Sequence, residues 1–249
     1  MSQLTGKTAM ITGGSSGIGL AIAQLLATEG AEVIVSGRRA DVVDDAVRQI
    51  GARATGLVGD VADLTFHDRA AAEISARFGG LDIYVANAGI NTIRASAEVS
   101  EAEYDAQFAV NARGTFFGVQ KIAPLLRNGG AIVLIGSVAS EKVLDGHAVY
   151  AGSKAAMGAF ARNWALEFKD RGIRVNVLSP GPTDTAILDK LGVPQAQRGE
   201  FVDRMAAAIA LGRFGQAGEI ARAALFLASD AASFVTGVNL RVDGGMALL

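Results

Sequence analysis

The segment Lys7-Thr8-Ala9-Met10-Ile11-Thr12-Gly13-Gly14-Ser15-Ser16-Gly17-Ile18-Gly19 decides the fold. Its apolar first half predicts a buried strand over 7–12, and the apolar run that follows predicts a helix over 18–29. A glycine-rich loop in this position suits a dinucleotide pyrophosphate, because glycines allow close approach and the helix N-terminus offers free N–H groups. The glycines at 13, 17 and 19 do not form the G-x-G-x-x-G of the long-chain dehydrogenases. We therefore predict a dinucleotide site, with an ordinary glycine-rich turn as the alternative.

Strand-like and helix-like segments alternate along the rest of the chain. Predicted strands occupy 7–12, 32–36, 53–59, 82–86, 131–136, 173–178 and 238–241, and predicted helices occupy 18–29, 40–50, 64–78, 101–127, 148–170 and 217–228. Strands such as 131–135 are apolar on both faces, which is typical of a parallel sheet covered on both sides. With right-handed crossovers, this pattern predicts an α/β fold: a doubly wound, Rossmann-like, seven-stranded parallel sheet in one domain spanning 1–249.

Composition restricts the class of protein. Half of the 249 residues are apolar, which is enough for one large core, and the net charge of −2 gives no reason to expect a nucleic acid or a membrane surface as partner. The chain has no cysteine, no apolar N-terminal run and no apolar stretch long enough to span a membrane, so we expect a cytoplasmic protein. Only two histidines occur and neither has ligand-like neighbours, so we expect no metal. We expect His67 at the surface.

Tyr150 and Lys154 form a candidate proton-transfer pair. They lie four residues apart in Val149-Tyr150-Ala151-Gly152-Ser153-Lys154, so on a helix they share one face. A free tyrosine has a pKa of ~10. A nearby ammonium stabilises the phenolate and lowers that pKa towards the range in which acid–base catalysis operates. The alternative for this pair alone is a solvated helix face.

Thr12-Gly13-x-x-x-Gly17-x-Gly19 followed by Tyr150-x-x-x-Lys154 resembles the single-domain short-chain dehydrogenase/reductase family. The resemblance extends from about Lys7 to Gly245. It includes Ala86-Asn87-Ala88-Gly89, in which alanine replaces the first asparagine of the family's Asn-Asn-Ala-Gly. It also includes Ser137, thirteen residues before Tyr150, and the segment Pro180-Gly181-Pro182-Thr183-Asp184-Thr185. Within the family, the chain looks similar to NADPH-dependent alcohol dehydrogenases that act on bulky ketones.

The resemblance implies a hydride-transfer enzyme and assigns its residues. The implied catalytic residues are Asn111, Ser137, Tyr150 and Lys154: Ser137 and Tyr150 hold the carbonyl oxygen, and Asn111 links Lys154 to solvent. Asn111 has poor propensity within a helix, so from the residues alone it is a packing accident, a water-holding group or the site of a bend. The implied cofactor-binding residues are Gly13, Ser15, Ser16, Gly17, Ile18, Gly19, Ser36, Arg38, Arg39, Asp60, Val61, Asn87, Ala88, Gly89, Tyr150, Lys154, Pro180, Gly181, Thr183 and Thr185. The resemblance also implies a homotetramer.

Residues after the second strand predict the cofactor. An NAD site would place an acidic residue at the Gly37 position, whereas Arg38 can bind a 2′-phosphate through charge-assisted hydrogen bonds. We therefore expect NADP(H), with NAD(H) weaker. Ser36 would add a hydrogen-bond donor to the phosphate, and Arg39 either stacks on the adenine or faces solvent. The alternative is that Arg38 and Arg39 are simply a solvated basic pair before a helix. We expect Asp41 to cap the helix that follows.

Asp60 resembles the family aspartate that faces the adenine, with Val61 beside the ring. An N-cap role is the competing interpretation, and it suits Asp63 better, because Asp63 directly precedes the next helical pattern.

We expect an apolar substrate pocket, covered by a lid over approximately 182–212. Its predicted lining is Val138, Ala139, Leu144, His147, Leu188, Leu191 and Met205. Part of the lid's apolar set must serve a helix near 197–210, and His147 is alternatively a solvated loop residue. The pocket favours an apolar ketone or secondary alcohol. The alternatives are a 3-oxoacyl group on a carrier protein, which Arg94, Arg127 and Arg171 would serve, a sugar, or a non-catalytic nucleotide-sensing scaffold.

Overall fold

The computed structural model describes residues 2–185 and 198–249, and seven parallel strands within these ranges form one sheet. The sheet consists of β1 (Thr8–Ile11), β2 (Glu32–Gly37), β3 (Ala54–Val58), β4 (Leu81–Ala86), β5 (Leu126–Ile135), β6 (Arg174–Pro180) and β9 (Asn239–Val242). Two short strands, β7 (Thr183–Asp184) and β8 (Gly215–Gln216), pair separately. The strand order is β3-β2-β1-β4-β5-β6-β9, so the direction of winding reverses between β1 and β4. The predicted fold is confirmed.

Helices cover both faces of the sheet. They are α1 (Gly17–Thr28), α2 (Ala40–Ile50), α3 (Leu64–Phe78), α4 (Glu101–Phe108), α5 (Gly114–Ile122), α6 (Ala148–Glu167), α7 (Arg198–Ala207) and α8 (Ala217–Ala228). One core joins Ile11 of β1 to α1 and α8, and a second joins the adjacent Met10 to α3, α5 and α6. Successive side chains in a strand point to opposite faces, which explains why these strands are apolar throughout.

The prediction of one continuous helix over 101–127 is wrong. A π-helical turn over Ala109–Arg113 separates α4 from α5, and α5 ends at Ile122. Pro124 follows at once, and proline cannot donate the backbone hydrogen bond that would continue the helix. Residues 126 and 127 belong to β5 instead. Of the alternatives considered for Asn111, the bent backbone is the one observed.

Two aspartates near helix starts differ in role. Asp63 caps α3, since its side chain accepts a hydrogen bond from the Thr65 N–H at 3.0 Å, as predicted. Asp41 does not cap α2, because that helix begins one residue earlier, at Ala40, and Arg39 holds the cap position without a side-chain bond. Asp41 lies in the first helical turn, where a carboxylate interacts favourably with the helix dipole.

The expected surface position of His67 is wrong. The side chain is 1 % exposed, because it belongs to the buried stripe of α3 together with Phe66, Ala70 and Ile74. Its Nε2–H donates to the Val61 carbonyl oxygen at 2.9 Å, whereas Nδ1 has no hydrogen-bond partner among the described residues. Burial lowers the pKa of His67, so the ring is neutral at pH 7.

None of the helices in the described part of the chain is both long and apolar enough to span a membrane. Residues 2–185 and 198–249 contain no group of three or more histidine, aspartate or glutamate side chains arranged to hold a metal ion.

Candidate active site

The carboxyl ends of β1 and β4 meet at the reversal in strand order and are joined by side chains. The Thr12 hydroxyl accepts the N–H groups of Asn87 and Ala88, at 3.0 and 3.1 Å. The Asn87 amide donates to the carbonyl oxygens of Thr12 and Gly13, at 2.9 and 3.1 Å. In sheets of this type a ligand binds beyond the carboxyl edge at the reversal. The bonds of Thr12 and Asn87 therefore brace the floor of such a site.

The glycine-rich loop after β1 is shaped as a phosphate cradle. Gly13 and Gly17 have φ values of 61° and 55°, which disfavour residues with a side chain. A Cβ on Gly19 would lie 2.4 Å from both the Asn87 amide nitrogen and the Gly13 carbonyl oxygen. Ser16 makes no side-chain cap on α1, so the first N–H groups of this helix face outward. These features fit a dinucleotide pyrophosphate.

The segment after β6 faces this loop. Thr185 is the nearest group to a Cβ built on Gly17, at 3.7 Å. The Thr183 hydroxyl donates to the Gly181 carbonyl oxygen at 2.9 Å, and Thr183 pairs with Gly215 in the small sheet. Thr185 therefore lies beside the glycine loop, and we use the name groove for the carboxyl edge bordered by Ser15, Ser16, Ile18 and the Pro180–Thr185 segment.

Arg38 and Asp60 stand at the end of the groove next to β2. The Arg38 side chain is 68 % exposed, and its Nη1 lies 3.9 Å from Asp60 Oδ2. A long, exposed ion pair contributes little to stability, so Arg38 is free to turn to a phosphate. A Cβ on Gly37 would lie 2.5 Å from the Ser15 hydroxyl, so any other residue here would have to displace that hydroxyl.

Ser36 lies inside the sheet. It is 1 % exposed, and its hydroxyl has no partner among the described residues. This burial argues against the predicted contact of its hydroxyl with a cofactor, whereas Arg39 is exposed at the start of α2.

The loop after β3 is held by neighbouring elements. Asp60 Oδ1 accepts the Ala62 N–H at 2.9 Å, and Val61 is 7 % exposed. His67 binds the Val61 carbonyl oxygen, and Arg113 donates to the Ala62 carbonyl oxygen at 3.1 Å. These bonds keep Asp60 and Val61 at the groove, where the sequence predicts the adenine.

Lys154 lies at the centre of the carboxyl edge. Its ammonium is buried and donates to the Ile135 carbonyl oxygen at 2.8 Å. A Cβ on Gly89 would lie 3.1 Å from this ammonium and 3.3 Å from Asn111 Oδ1, so a larger residue would have to displace one of these side chains. Burial lowers the pKa of Lys154 to about 8, so the side chain is mainly cationic at pH 7.

Tyr150 lies beside Ser137, in the first turn of the helix that carries Lys154. Burial raises the pKa of Tyr150, and its interaction with the Ser137 hydroxyl opposes that rise. The Lys154 ammonium donates its hydrogen bond to the Ile135 carbonyl oxygen. The phenol is therefore protonated at neutral pH, the form needed by a group that donates a proton. Ser137 is nine-tenths buried, and its hydroxyl also accepts the Ala139 N–H at 3.2 Å.

Asn111 is fully buried in the π-helical turn and faces the same edge. Its Oδ1 accepts the Ile90 N–H at 2.8 Å, and its Nδ2 donates to the Ile90 carbonyl oxygen at 2.9 Å and to the Ser153 hydroxyl at 3.0 Å. Ser153 in turn donates to the Tyr150 carbonyl oxygen at 2.7 Å. Asn111 thus connects the loop after β4 to the helix that carries Tyr150 and Lys154.

An apolar wall stands beside Ser137. Val138, Ile209 and Met246 are buried together, with Leu144, Met205 and Phe214 packed against them. Next to it, a cleft of about 510 Å³ has Ala139, Leu144, His147 and Ala151 in its lining. The His147 ring lies 6.2 Å from the Tyr150 ring, edge to face, and its Nδ1–H donates to the Asp145 carbonyl oxygen at 2.7 Å. The predicted pocket residues Leu188 and Leu191 lie outside the described residues.

Sequence reasoning placed Thr12 at this edge of the sheet but missed its hydrogen bonds, and it missed Ser153 and Gln107 as parts of the site. Thr12 directly precedes the first glycine and ends a strand, which was the available signal for its capping bonds. Ser153 and Gln107 carry no comparable local signal, because their partners lie 42 and 15 residues away in the chain.

Fold and site together define an oxidoreductase with a doubly wound nucleotide-binding sheet, and the chain belongs to the short-chain dehydrogenase/reductase family. Residues 13–247 match the family model described as enoyl-(acyl carrier protein) reductase. D-threitol dehydrogenase of Mycolicibacterium smegmatis is 38 % identical over 98 % of this chain and 94 % of its own. Versicolorin reductase of Emericella nidulans is 38 % identical over 98 % and 96 %. A solved blue fluorescent protein from a metagenomic library, in complex with NADPH, is 34 % identical over 98 % and 99 %, with a TM-score of 0.91.

Proposed function

We propose that this protein is an NADP(H)-dependent oxidoreductase that transfers a hydride between the nicotinamide and an apolar ketone or secondary alcohol. One observation carries the proposal: Ser137, Tyr150 and Lys154 meet at the carboxyl edge of the sheet, beside the phosphate cradle. When bound, NADPH supplies the hydride. The residues of the chain supply orientation, a proton and charge.

Each residue of the proposed catalytic set has a distinct task. The Ser137 hydroxyl and the Tyr150 phenol hold the carbonyl oxygen, and Tyr150 donates its proton to that oxygen during reduction. The Lys154 cation, at the same edge, stabilises the phenolate left behind and binds the nicotinamide ribose. Asn111 keeps the Ile90 loop and the Ser153 turn in place around the pair.

The proposed cofactor contacts follow the groove. The glycine loop with Ser15, Ser16 and the α1 N-terminus binds the pyrophosphate. Asp60 and Val61 face the adenine, Asn87–Gly89 and Pro180–Thr185 face the nicotinamide half, and Arg38 binds the 2′-phosphate. The exposed Arg38 and the NADPH found in the metagenomic relative both support NADP(H).

The apolar wall of Val138, Leu144 and Met205 favours an apolar carbonyl compound, and the relative named versicolorin reductase agrees with that choice. A polyol is the second candidate, because an equally similar relative is named D-threitol dehydrogenase. We propose that approximately 182–212, which includes α7 with Met205, forms the lid of this pocket.

The carrier-protein alternative loses support from the position of its basic residues. Arg127 lies at the amino end of β5 and pairs with Asp82 at 2.7 Å, while Arg171 binds the Ala123 carbonyl oxygen at 2.8 Å. Both therefore belong to the edge of the sheet opposite the site. Arg94 is on the site's side but pairs with Glu103 at 2.8 Å.

We also propose a homotetramer. The surface of α5 and α6 carries Phe116, 36 % exposed, stacked edge to face on Phe160 at 5.4 Å. Near the last strand, Phe234 is fully exposed and Leu166 is 67 % exposed. Exposed aromatic and aliphatic groups on one molecule are typical of association surfaces. Light scattering at micromolar concentration should give a fourfold mass, and a stable monomer would refute this assembly.

A substrate panel tests the proposed function. NADPH oxidation should be fast with aromatic and long-chain ketones, and their kcat/KM should exceed that of erythrulose or a sugar by about tenfold or more, because a few buried CH₂ groups suffice for that difference. Preference for polyols with NAD would instead support the second candidate. Cofactor binding without turnover on any carbonyl compound would indicate a nucleotide sensor.

A further inference from the structure

Two amide side chains bind alternate residues of the loop that follows β4. Asn111 bonds both the N–H and the carbonyl oxygen of Ile90, at 2.8 and 2.9 Å. Gln107 does the same at Thr92: its Oε1 accepts the N–H at 3.1 Å and its Nε2 donates to the carbonyl oxygen at 3.5 Å. Residues four apart lie on one face of a helix, and residues two apart in an extended chain present their backbone groups to one side. The two amides therefore form hydrogen bonds with the backbone of alternate loop residues, as a neighbouring β-strand would.

Gln107 is buried, with 2 % of its surface exposed. A buried amide is costly unless it is hydrogen-bonded, so an apolar side chain of equal size would pack here at lower cost. The paired bonds to Thr92 are what the glutamine contributes.

The loop that Gln107 holds leads directly to the substrate side. Two residues after Thr92, the Arg94 N–H donates to the Gly146 carbonyl oxygen at 2.9 Å. A Cβ on Gly146 would lie 2.9 Å from the Ile93 side chain, so the two loops are packed tightly. Gly146 precedes His147, which holds the cap position of α6. His147 lies three residues before Tyr150. A displacement at Thr92 would therefore reach the cleft beside Tyr150.

We propose that Gln107 is a positioning residue for the carbonyl substrate, acting through Thr92 and the 92–96 loop. The proposal rests on the function proposed above. Asn111 holds the cofactor end of the loop at Ile90, and Gln107 holds the substrate end at Thr92.

Gln107→Met tests the proposal, because methionine has a similar length and forms no comparable hydrogen bonds. We expect the KM for the preferred ketone to rise about fivefold to tenfold, which corresponds to losing one or two neutral hydrogen bonds. The KM for NADPH and kcat should stay within about twofold, because Asn111 still holds Ile90. Gln107→Glu retains an acceptor for the Thr92 N–H and should give an intermediate KM. Gln49→Met, at an exposed position of α2, is the matched control and should change neither constant.

Hydrogen exchange gives a second measurement that needs no substrate. The Thr92 amide should exchange faster in Gln107→Met than in the wild type, with the β4 amides unchanged. Unchanged exchange at Thr92, equal increases in both KM values, or a loss of kcat with the ketone KM unchanged would each overturn the proposal. If Gln107→Met does not fold, Gln107→Glu, which loses the donor to the Thr92 carbonyl oxygen, must still raise the ketone KM and leave the NADPH KM unchanged. A wild type that reduces no carbonyl compound would refute the proposed function. Hydrogen exchange at Thr92 would then still show whether Gln107 holds Thr92 in place.

Discussion

The Lys154 ammonium donates a hydrogen bond to the Ile135 carbonyl oxygen at 2.8 Å, joining the middle of α6 to the last residue of β5. This bond places a cation at the end of the strand that leads to Ser137. It also removes the cation from water, and burial lowers the pKa of Lys154 to about 8. The group that we propose for catalysis is therefore held at a cost in stability.

Lys154→Met is expected to stabilise the protein at pH 7 while removing most activity. The folded pKa of about 8 lies below the ordinary 10.5, so keeping the buried lysine protonated costs roughly 3 kcal/mol below pH 8. The Ile135 carbonyl, left without its partner, would cost about 1–2 kcal/mol, so the free energy of unfolding should increase by a net amount of about 1–2 kcal/mol. The difference between variant and wild type should shrink as pH rises from about 8 to 10.5.

Thermal denaturation at several pH values measures the Lys154 effect, with the exposed Lys169→Met as control. A Lys154→Met variant that is less stable than the wild type at every pH would contradict it.

Tyr150→Phe should reduce turnover by about 10²–10⁴, the range for losing a general acid. The aromatic ring is retained, so NADPH affinity should change little, and fluorescence titration of NADPH measures this separately. Tyr104→Phe changes an exposed phenol and should keep full activity. Near-normal turnover in Tyr150→Phe would remove Tyr150 from the mechanism.

Arg38→Leu should abolish the preference for NADPH over NADH. A hydrogen bond to a charged group contributes roughly 1.5–3 kcal/mol, so the wild type should prefer NADPH by about 10–150-fold. Paired titrations with both cofactors measure the ratio. Arg48→Leu, which changes an exposed arginine on α2, should keep this preference. A wild type that prefers NADH would contradict the proposed cofactor preference. An Arg38→Leu variant that still prefers NADPH would show that another group binds the 2′-phosphate.

His67 should make the protein less stable in mild acid. Burial lowers the pKa of His67 in the folded protein below its ordinary value of 6.5. Above pH 6.5 the histidine is neutral in both the folded and the unfolded chain, so it does not affect stability. Below that pH the unfolded chain binds a proton that the folded ring does not bind, so the free energy of unfolding falls. The slope is at most about 1.4 kcal/mol per pH unit. His67→Gln keeps an N–H donor for Val61 and should lose less stability between pH 7 and 5 than the wild type.

Urea denaturation at pH 7 and 5 compares His67→Gln with His147→Gln, a change of the other histidine in the chain. Parallel pH dependence in the wild type and His67→Gln would show that other groups cause the acid sensitivity.

Local patterns in the sequence were sufficient for the fold and for the region of the site. The strand, glycine loop and helix at 7–29, the apolar strands and the cap at Asp63 all depend on neighbours within a few residues. Helix α2 and helix α3 have the predicted bounds, Ala40–Ile50 and Leu64–Phe78. A parallel sheet brings its strand ends to one edge, so the order of these patterns also determines that Thr12, Asn87 and Ser137 share that edge.

Only the tertiary structure decided how the side chains at that edge are used. Spacing places Lys154 and Tyr150 on one face of α6, but only the packing of α6 on β5 supplies the Ile135 carbonyl as the partner of the ammonium. His67 is buried because α3 rotates that face towards Tyr84 and Gly118, which lie far away in sequence. Arg127 and Gln107 likewise depend on partners 45 and 15 residues away, Asp82 and Thr92. Periodicity determines which face of an element is apolar, whereas the identity of a polar partner depends on how separate elements pack.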